Sequence, residues 1–129
     1  MSGEPKPFSY EVGSEEQGAT VLRLYGELDM AAAPALRSVL HEVQHEGCSE
    51  VVIDLRGLSL LDSMGLSALV EAHAAGQDGH RTVSFIAGGR SVHKVFQVTK
   101  MDERVSWFDP GTLDPVQAPP GRVDRARSL

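Results

Sequence analysis

The chain has 129 residues, 41% of them hydrophobic, and its 12 Lys and Arg against 18 Asp and Glu give a formal net charge of −6. That length and apolar content suit one domain with a single core. The acidic balance opposes direct binding to nucleic acid or anionic lipid, and no apolar run approaches the ~20 residues of a membrane span.

Residues 1–7 are polar, contain Pro5 and Pro7, and lack the apolar stretch of a secretory signal. They read as a flexible lead-in to a domain over residues 8–109. Phe8–Val12 alternates apolar and polar residues, the pattern of a half-exposed strand, and residues 13–18 form a turn. Val21–Leu28 returns as a second strand, antiparallel to the first. Asp29 ends it, and Ala31-Ala32-Ala33-Pro34 leads into a helix, where proline is tolerated in the first turn. Leu36, Val39, Leu40 and Val43 carry the helical spacing, and Gly47 stops the helix. His41 and His45 stand at i, i+4, but no nearby Cys or third His completes a metal site, so both read as surface histidines. No metal and no cofactor are expected. The single Cys48 excludes an internal disulfide framework and suits a reducing cytoplasm.

Val51–Leu55 is a short β-branched strand, followed by a turn at Arg56-Gly57 and an apolar step at Leu58, Leu60 and Leu61. A helix then opens at Asp62 or Ser63, with Leu66, Leu69, Val70 and His73 on one face. This puts a serine hydroxyl at a helix N-terminus, just after an aspartate. The first N–H groups of a helix lack intrahelical partners and the macrodipole favours negative charge, so the place tolerates a phosphate. Asp and Ser are also the commonest N-caps, and capping alone accounts for the spacing. Residues 76–81 read as a loop and Thr82–Ala87 as a core strand. Gly88-Gly89-Arg90 lacks the glycine spacing of nucleotide-binding loops and reads as a strand-to-helix turn. Ser91 caps a third helix whose apolar face is Val92, Val95, Phe96 and Thr99, and Val105–Phe108 is a last strand. Residues 110–129 are rich in Pro and Gly, end basic, and read as a disordered tail. The expected fold is α/β: a mixed sheet with helices packed mainly on one side, its core drawn from Leu22, Leu24, Val51, Ile53, Leu55, Leu66, Leu69, Val83, Phe85 and Val95.

Two separated motifs point further. Leu60-Leu61-Asp62-Ser63-Met64-Gly65-Leu66 after a Val-Val-Ile-Asp-Leu strand, with Gly26-Glu27-Leu28-Asp29 upstream, resembles the bacterial anti-sigma factor antagonists of the STAS-domain family. The resemblance implies a single STAS-type domain and a cytoplasmic monomer that is not an enzyme. Its partners would be an anti-sigma factor with serine kinase activity and a phosphatase. Unphosphorylated, such a protein binds the anti-sigma factor and frees the sigma factor; phosphorylation of the serine, here Ser63, abolishes binding. Asp29, Asp62, Ser63, Met64 and Gly65 would form the partner surface. Met64 stands where relatives often carry a second small or hydroxyl residue, and the family's usual helix after the last strand is opposed here by the prolines. For Asp29 a helix-start cap is the competing role, and for Gly65 a tight helix–strand contact. Two other uses stay open: a STAS interaction module of a larger signalling or lipid-transport complex, and a serine hydrolase. The latter is disfavoured because position 61 is Leu and not the Gly of a nucleophile elbow.

Overall fold

In the computed structural model, residues 6–14, 19–45 and 49–110 are described. Strands β1 (Ser9–Ser14), β2 (Ala19–Leu28), β3 (Glu50–Leu61), β4 (Thr82–Ile86) and β5 (Ser106–Trp107) form one sheet in the order β1-β2-β3-β4-β5. β1 runs antiparallel to β2, and the remaining neighbours are parallel. Each parallel step needs a crossover, supplied by helices α1 (Ala33–His45), α2 (Ser63–Asp78) and α3 (Arg90–Val98). Because the strand order advances in one direction, right-handed crossovers stack all three helices on the same face. The main core joins Leu22, Leu24, Ile53, Leu55 and Phe85 of that face to Leu36, Leu69 and Phe96 of the helices. Phe85, Phe96 and Trp107 pack ring against ring, with centroids 5.1 to 6.1 Å apart. The opposite face carries a small cluster of Val21, Val52 and Ile86, with Phe108 at its margin. Thus the fold is a single α/β domain with a mixed sheet, as the alternating patterns imply, and of the expected core residues only Val95 is partly buried.

The largest departure from the sequence reading is β3. It does not turn at Arg56-Gly57 but runs on to Leu61. Pairing with β2 shifts twice, from Arg23↔Asp54 to Tyr25↔Gly57 and from Gly26↔Leu58 to Glu27↔Leu60, so each shift inserts one extra residue on β3. Asp54 holds the first bulge: it accepts from the Arg56 backbone N–H at 3.0 Å and from the Arg56 guanidinium at 3.0 and 2.9 Å. Gly57 is required there, because a Cβ would meet the Tyr25 ring at 2.4 Å and the Leu24 carbonyl at 2.6 Å.

Smaller corrections follow the same logic. Gly76 and Gln77 lie inside α2, whose C-cap is Gly79. Gly89, not Ser91, occupies the N-cap of α3, and Ser91 is already helical. β1 begins at Ser9 and extends through Gly13 to Ser14, while the last strand shrinks to two residues. Lys6 and Pro7 of the lead-in lie against β2, with the Glu27 N–H donating to the Lys6 carbonyl at 3.0 Å. Residues 111–129, Gly47 and Cys48, and the tip of the first turn lie outside the described residues, as does the side chain of His45. No helix among the described residues is long and apolar enough to cross a membrane.

Arg37 on α1 and Glu71 on α2 form an exposed two-bond ion pair, 2.9 and 3.2 Å. The hydrogen bond from Arg37 lowers the Glu71 pKa and raises that of the guanidinium. A carboxylate depressed on folding stabilises above its unfolded pKa, and that contribution is lost as the pH falls through the folded one. Both groups are solvated, so Glu71→Gln is expected to lower the melting temperature by no more than ~2 °C at neutral pH. The difference should vanish once the pH is below the depressed Glu71 pKa; paired thermal scans across the acid range check this.

Candidate phosphoacceptor site

The site is assembled where two neighbouring parallel strands end together. Leu28, last residue of β2, pairs with Leu61, last residue of β3. Both are buried and anchor the two exits in the core. From β3 the chain enters α2 through Asp62, an extended N-cap residue. Its Oδ1 accepts from the Gly65 N–H at 2.9 Å, satisfying one of the unpaired donors of the first turn. Its Oδ2 accepts from the Met30 N–H, also at 2.9 Å. Meanwhile the Asp62 N–H donates to the Leu28 carbonyl at 3.2 Å. One residue therefore binds its own helix and the turn after β2.

Asp29 does take the capping role: its Oδ1 accepts from the Ala32 N–H at 3.0 Å, and its carbonyl accepts from Ala32 and Ala33. It also stands next to Met30, so the Gly-Glu-Leu-Asp motif and the Asp-Ser motif, more than thirty residues apart in sequence, meet through the Met30–Asp62 bond. Gly65 is buried and lies against β2, where a Cβ would come within 2.6 Å of the Leu28 carbonyl and 2.8 Å of Leu28 Cγ. The tight helix–strand contact is thus real.

Ser63 and Met64 are exposed on the first turn of α2. Three large apolar side chains on the segments that meet here are exposed: Met30 66%, Met64 42% and Leu60 41%. Neither Met30 nor Leu60 is among the partner-surface residues expected from the sequence, where Leu60 enters only as part of the apolar step and the motif. The only signal was an apolar residue directly after Asp29 and one directly before Leu61.

His73 does not serve Ser63. It lies ten residues further along α2, about 15 Å at 1.5 Å per residue. It is buried with Nε2 3.3 Å from the Ser106 hydroxyl. His93 packs on Trp107 and Phe96, with centroids 5.1 and 6.3 Å away. Among the described residues no three His, Cys, Asp or Glu side chains converge as metal ligands would.

Comparison with known proteins agrees with this architecture. A family model described as Mlab, STAS domain matches residues 13–109. An anti-sigma-B factor antagonist of Staphylococcus epidermidis is 26% identical over 82 residues, covering 64% of this chain and 76% of that protein. The crystal structure of an anti-sigma factor antagonist from Mycobacterium paratuberculosis aligns with a TM-score of 0.70 at 26% identity, over 81% of this chain and 88% of that one. The anti-sigma factor antagonist SpoIIAA in its unphosphorylated form shares the fold at a TM-score of 0.67 and 20% identity, over 94% of this chain and 98% of that one. With the family model spanning β2 to β5 and all three helices, the chain belongs to the STAS-domain family.

Proposed function

We propose that this protein is an anti-sigma factor antagonist in a phosphorylation-controlled partner switch. In the unphosphorylated state it binds a cytoplasmic anti-sigma factor that is also a serine kinase, and the sigma factor is released. Phosphorylation of Ser63 ends that binding, and a phosphatase restores it. The protein acts as a regulator and a monomer, with no catalytic residue, metal or cofactor of its own. The observation that carries this reading is an exposed serine at a helix start, next to a capping Asp62 that bonds the Met30 backbone, on segments that also expose the side chains of Met30, Leu60 and Met64. Such a surface buries apolar area against a partner while leaving one small hydroxyl within reach of a phosphoryl donor. Asp29 and Gly65 contribute from beneath, by shaping the two turns. The names of the relatives support the reading, and SpoIIAA, of the same fold, has been solved in unphosphorylated and phosphorylated forms.

Capture of the tagged protein's partner from its native cell, followed by ATP labelling of the captured complex and phosphopeptide mapping, tests the reading. Label is expected on Ser63, with a histidine-kinase-like ATPase in the complex. Ser63→Ala should take no label and should bind the partner constitutively. Its stability should stay within ~0.5 kcal/mol of wild type, because Asp62, not Ser63, caps the helix. Label on Ser59 or Ser67 would move the site. Capture of a transporter subunit without labelling would replace the switch with the lipid-transport use of the domain.

A further inference from the structure

Asp62 has two carboxylate oxygens and spends them on different segments. Oδ1 caps α2 through the Gly65 N–H, and Oδ2 reaches across to the Met30 N–H in the turn between β2 and α1, each at 2.9 Å. For capping α2 one oxygen is enough, and Ser, Asn or Asp would serve alike. The second bond does something capping does not require. Met30 is two-thirds exposed, so its packing contributes little to holding it in place. The backbone bond to Asp62 ties it beside the first turn of α2.

We propose that Asp62 is a positioning residue: it fastens the β2–α1 turn to the phosphoacceptor turn, so that Met30 and Met64 flank Ser63 as one face. The partner then reads two segments of the chain at once, and its complementary surface is an apolar one that takes methionine side chains. Unbranched and polarizable, methionine adapts to such a surface, but only if its backbone is fixed relative to the serine. This rests on the reading of the Ser63 face as the docking surface. The Gly-Glu-Leu-Asp motif gains a role from it, because Asp29, by capping the start of α1, holds the other side of the same turn.

The decisive variants keep the cap and lose the cross-link. In Asp62→Ser the hydroxyl still caps Gly65, and no second oxygen remains for Met30. In Asp62→Asn one carbonyl oxygen remains, and the amide N–H₂ that replaces the other oxygen cannot accept. Backbone amide exchange of the purified protein, read by NMR without any partner, separates the two bonds. In both variants the Met30 amide should exchange at least about tenfold faster than in wild type, the effect of losing one hydrogen bond, while Gly65 stays within about threefold. Unchanged protection at Met30, or equal acceleration at Met30 and Gly65, would overturn the proposal, since the first denies the cross-link and the second makes Asp62 a cap only. A second arm titrates the captured partner. Asp62→Ser should weaken binding about tenfold in the wild-type background and no more than about twofold when Met30 is already alanine. Equal weakening in both backgrounds would also overturn it. Failure of Ser63 to accept phosphate would leave the exchange result intact, so the two readings fail separately.

Discussion

A phosphoryl group on Ser63 is expected to weaken binding of the anti-sigma partner by more than a hundredfold. The group adds about −1.5 to −2 charges to an exposed hydroxyl. Two features of the site decide where that charge goes. The unpaired N–H groups at the start of α2 and the helix dipole accommodate it on the protein itself, so the fold need not change. The partner gains no such compensation: it meets a dense anion close in sequence to the Asp62 carboxylate, on segments whose exposed large apolar side chains are Met30, Leu60 and Met64. Seating that face would strip water from the phosphate against an apolar surface. A loss of only ~3 kcal/mol already exceeds a factor of one hundred. Ser63→Asp should weaken binding less, having one charge and fewer acceptor oxygens. Calorimetric titration of the partner with the unphosphorylated protein, the Ser63→Asp variant and the phosphorylated protein should give affinities falling in that order, with near-identical circular dichroism for all three. Equal affinity of the unphosphorylated and phosphorylated forms would rule out the switch.

Much of this arrangement is readable from the residues because it depends on local chemistry. Alternation along β2 and the 3.6-residue spacing of Leu36, Val39, Leu40 and Val43 follow from which face meets the core. Asp62 as a cap follows from its place before an apolar helical run. What was not readable depends on pairing between distant segments. Arg-Gly is an ordinary turn signal, and only the match of β3 to the finished edge of β2 makes it a bulge. The two bulges change the phase of the strand: Leu55, Leu58 and Leu61 are buried at steps of three, where a regular strand would bury every second residue. That phase is why Leu60, three residues before Ser63, is exposed. Gly76 is similar: a glycine after Ala74-Ala75 reads as a helix stop, yet the helix runs on to Asp78, and glycine is there because a Cβ would come within 2.5 Å of Val83 Cγ2 on β4. The proposed partner surface was therefore half legible. Asp29, Asp62, Ser63, Met64 and Gly65 were visible, and Met30, whose N–H bonds to Asp62, was not.

Gly65→Ala is expected to be the most damaging conservative change near the site, and its effect should reach both stability and binding. In the middle of an exposed helix, replacing Gly by Ala stabilises by roughly 1 kcal/mol. At Gly65 the new methyl would stand 2.6 Å from the Leu28 carbonyl oxygen, 2.8 Å from Leu28 Cγ and 3.0 Å from Leu61 Cδ1. Two of these atoms are side-chain carbons of fully or nearly fully buried leucines, and the third is backbone in the strand pair, so none can simply swing aside. Overpacking of this kind costs ~1–3 kcal/mol, and with backbone involved the upper part of that range applies. The propensity gain offsets only part of it, because position 65 lies in the first turn. The net loss should be ~1–2 kcal/mol, which for a domain of about one hundred residues lowers the melting temperature by roughly 5–12 °C. Gly89→Ala supplies the steric control: nothing lies within 4 Å of a Cβ there, so its cost is confined to the poorer capping by alanine at the α3 N-cap and its melting temperature should fall by less than that of Gly65→Ala. The carbonyl that the methyl strikes is also the one that accepts the Asp62 N–H. Pushing α2 away from Leu28 therefore stretches the link between the two turns, and partner affinity should fall even at temperatures where Gly65→Ala remains folded. Thermal scans and partner titration at about 15 °C, well below the expected transition, measure the two effects separately. A melting temperature at or above wild type would show that the helix start has room to shift and that Gly65 is not what sets its distance from β2.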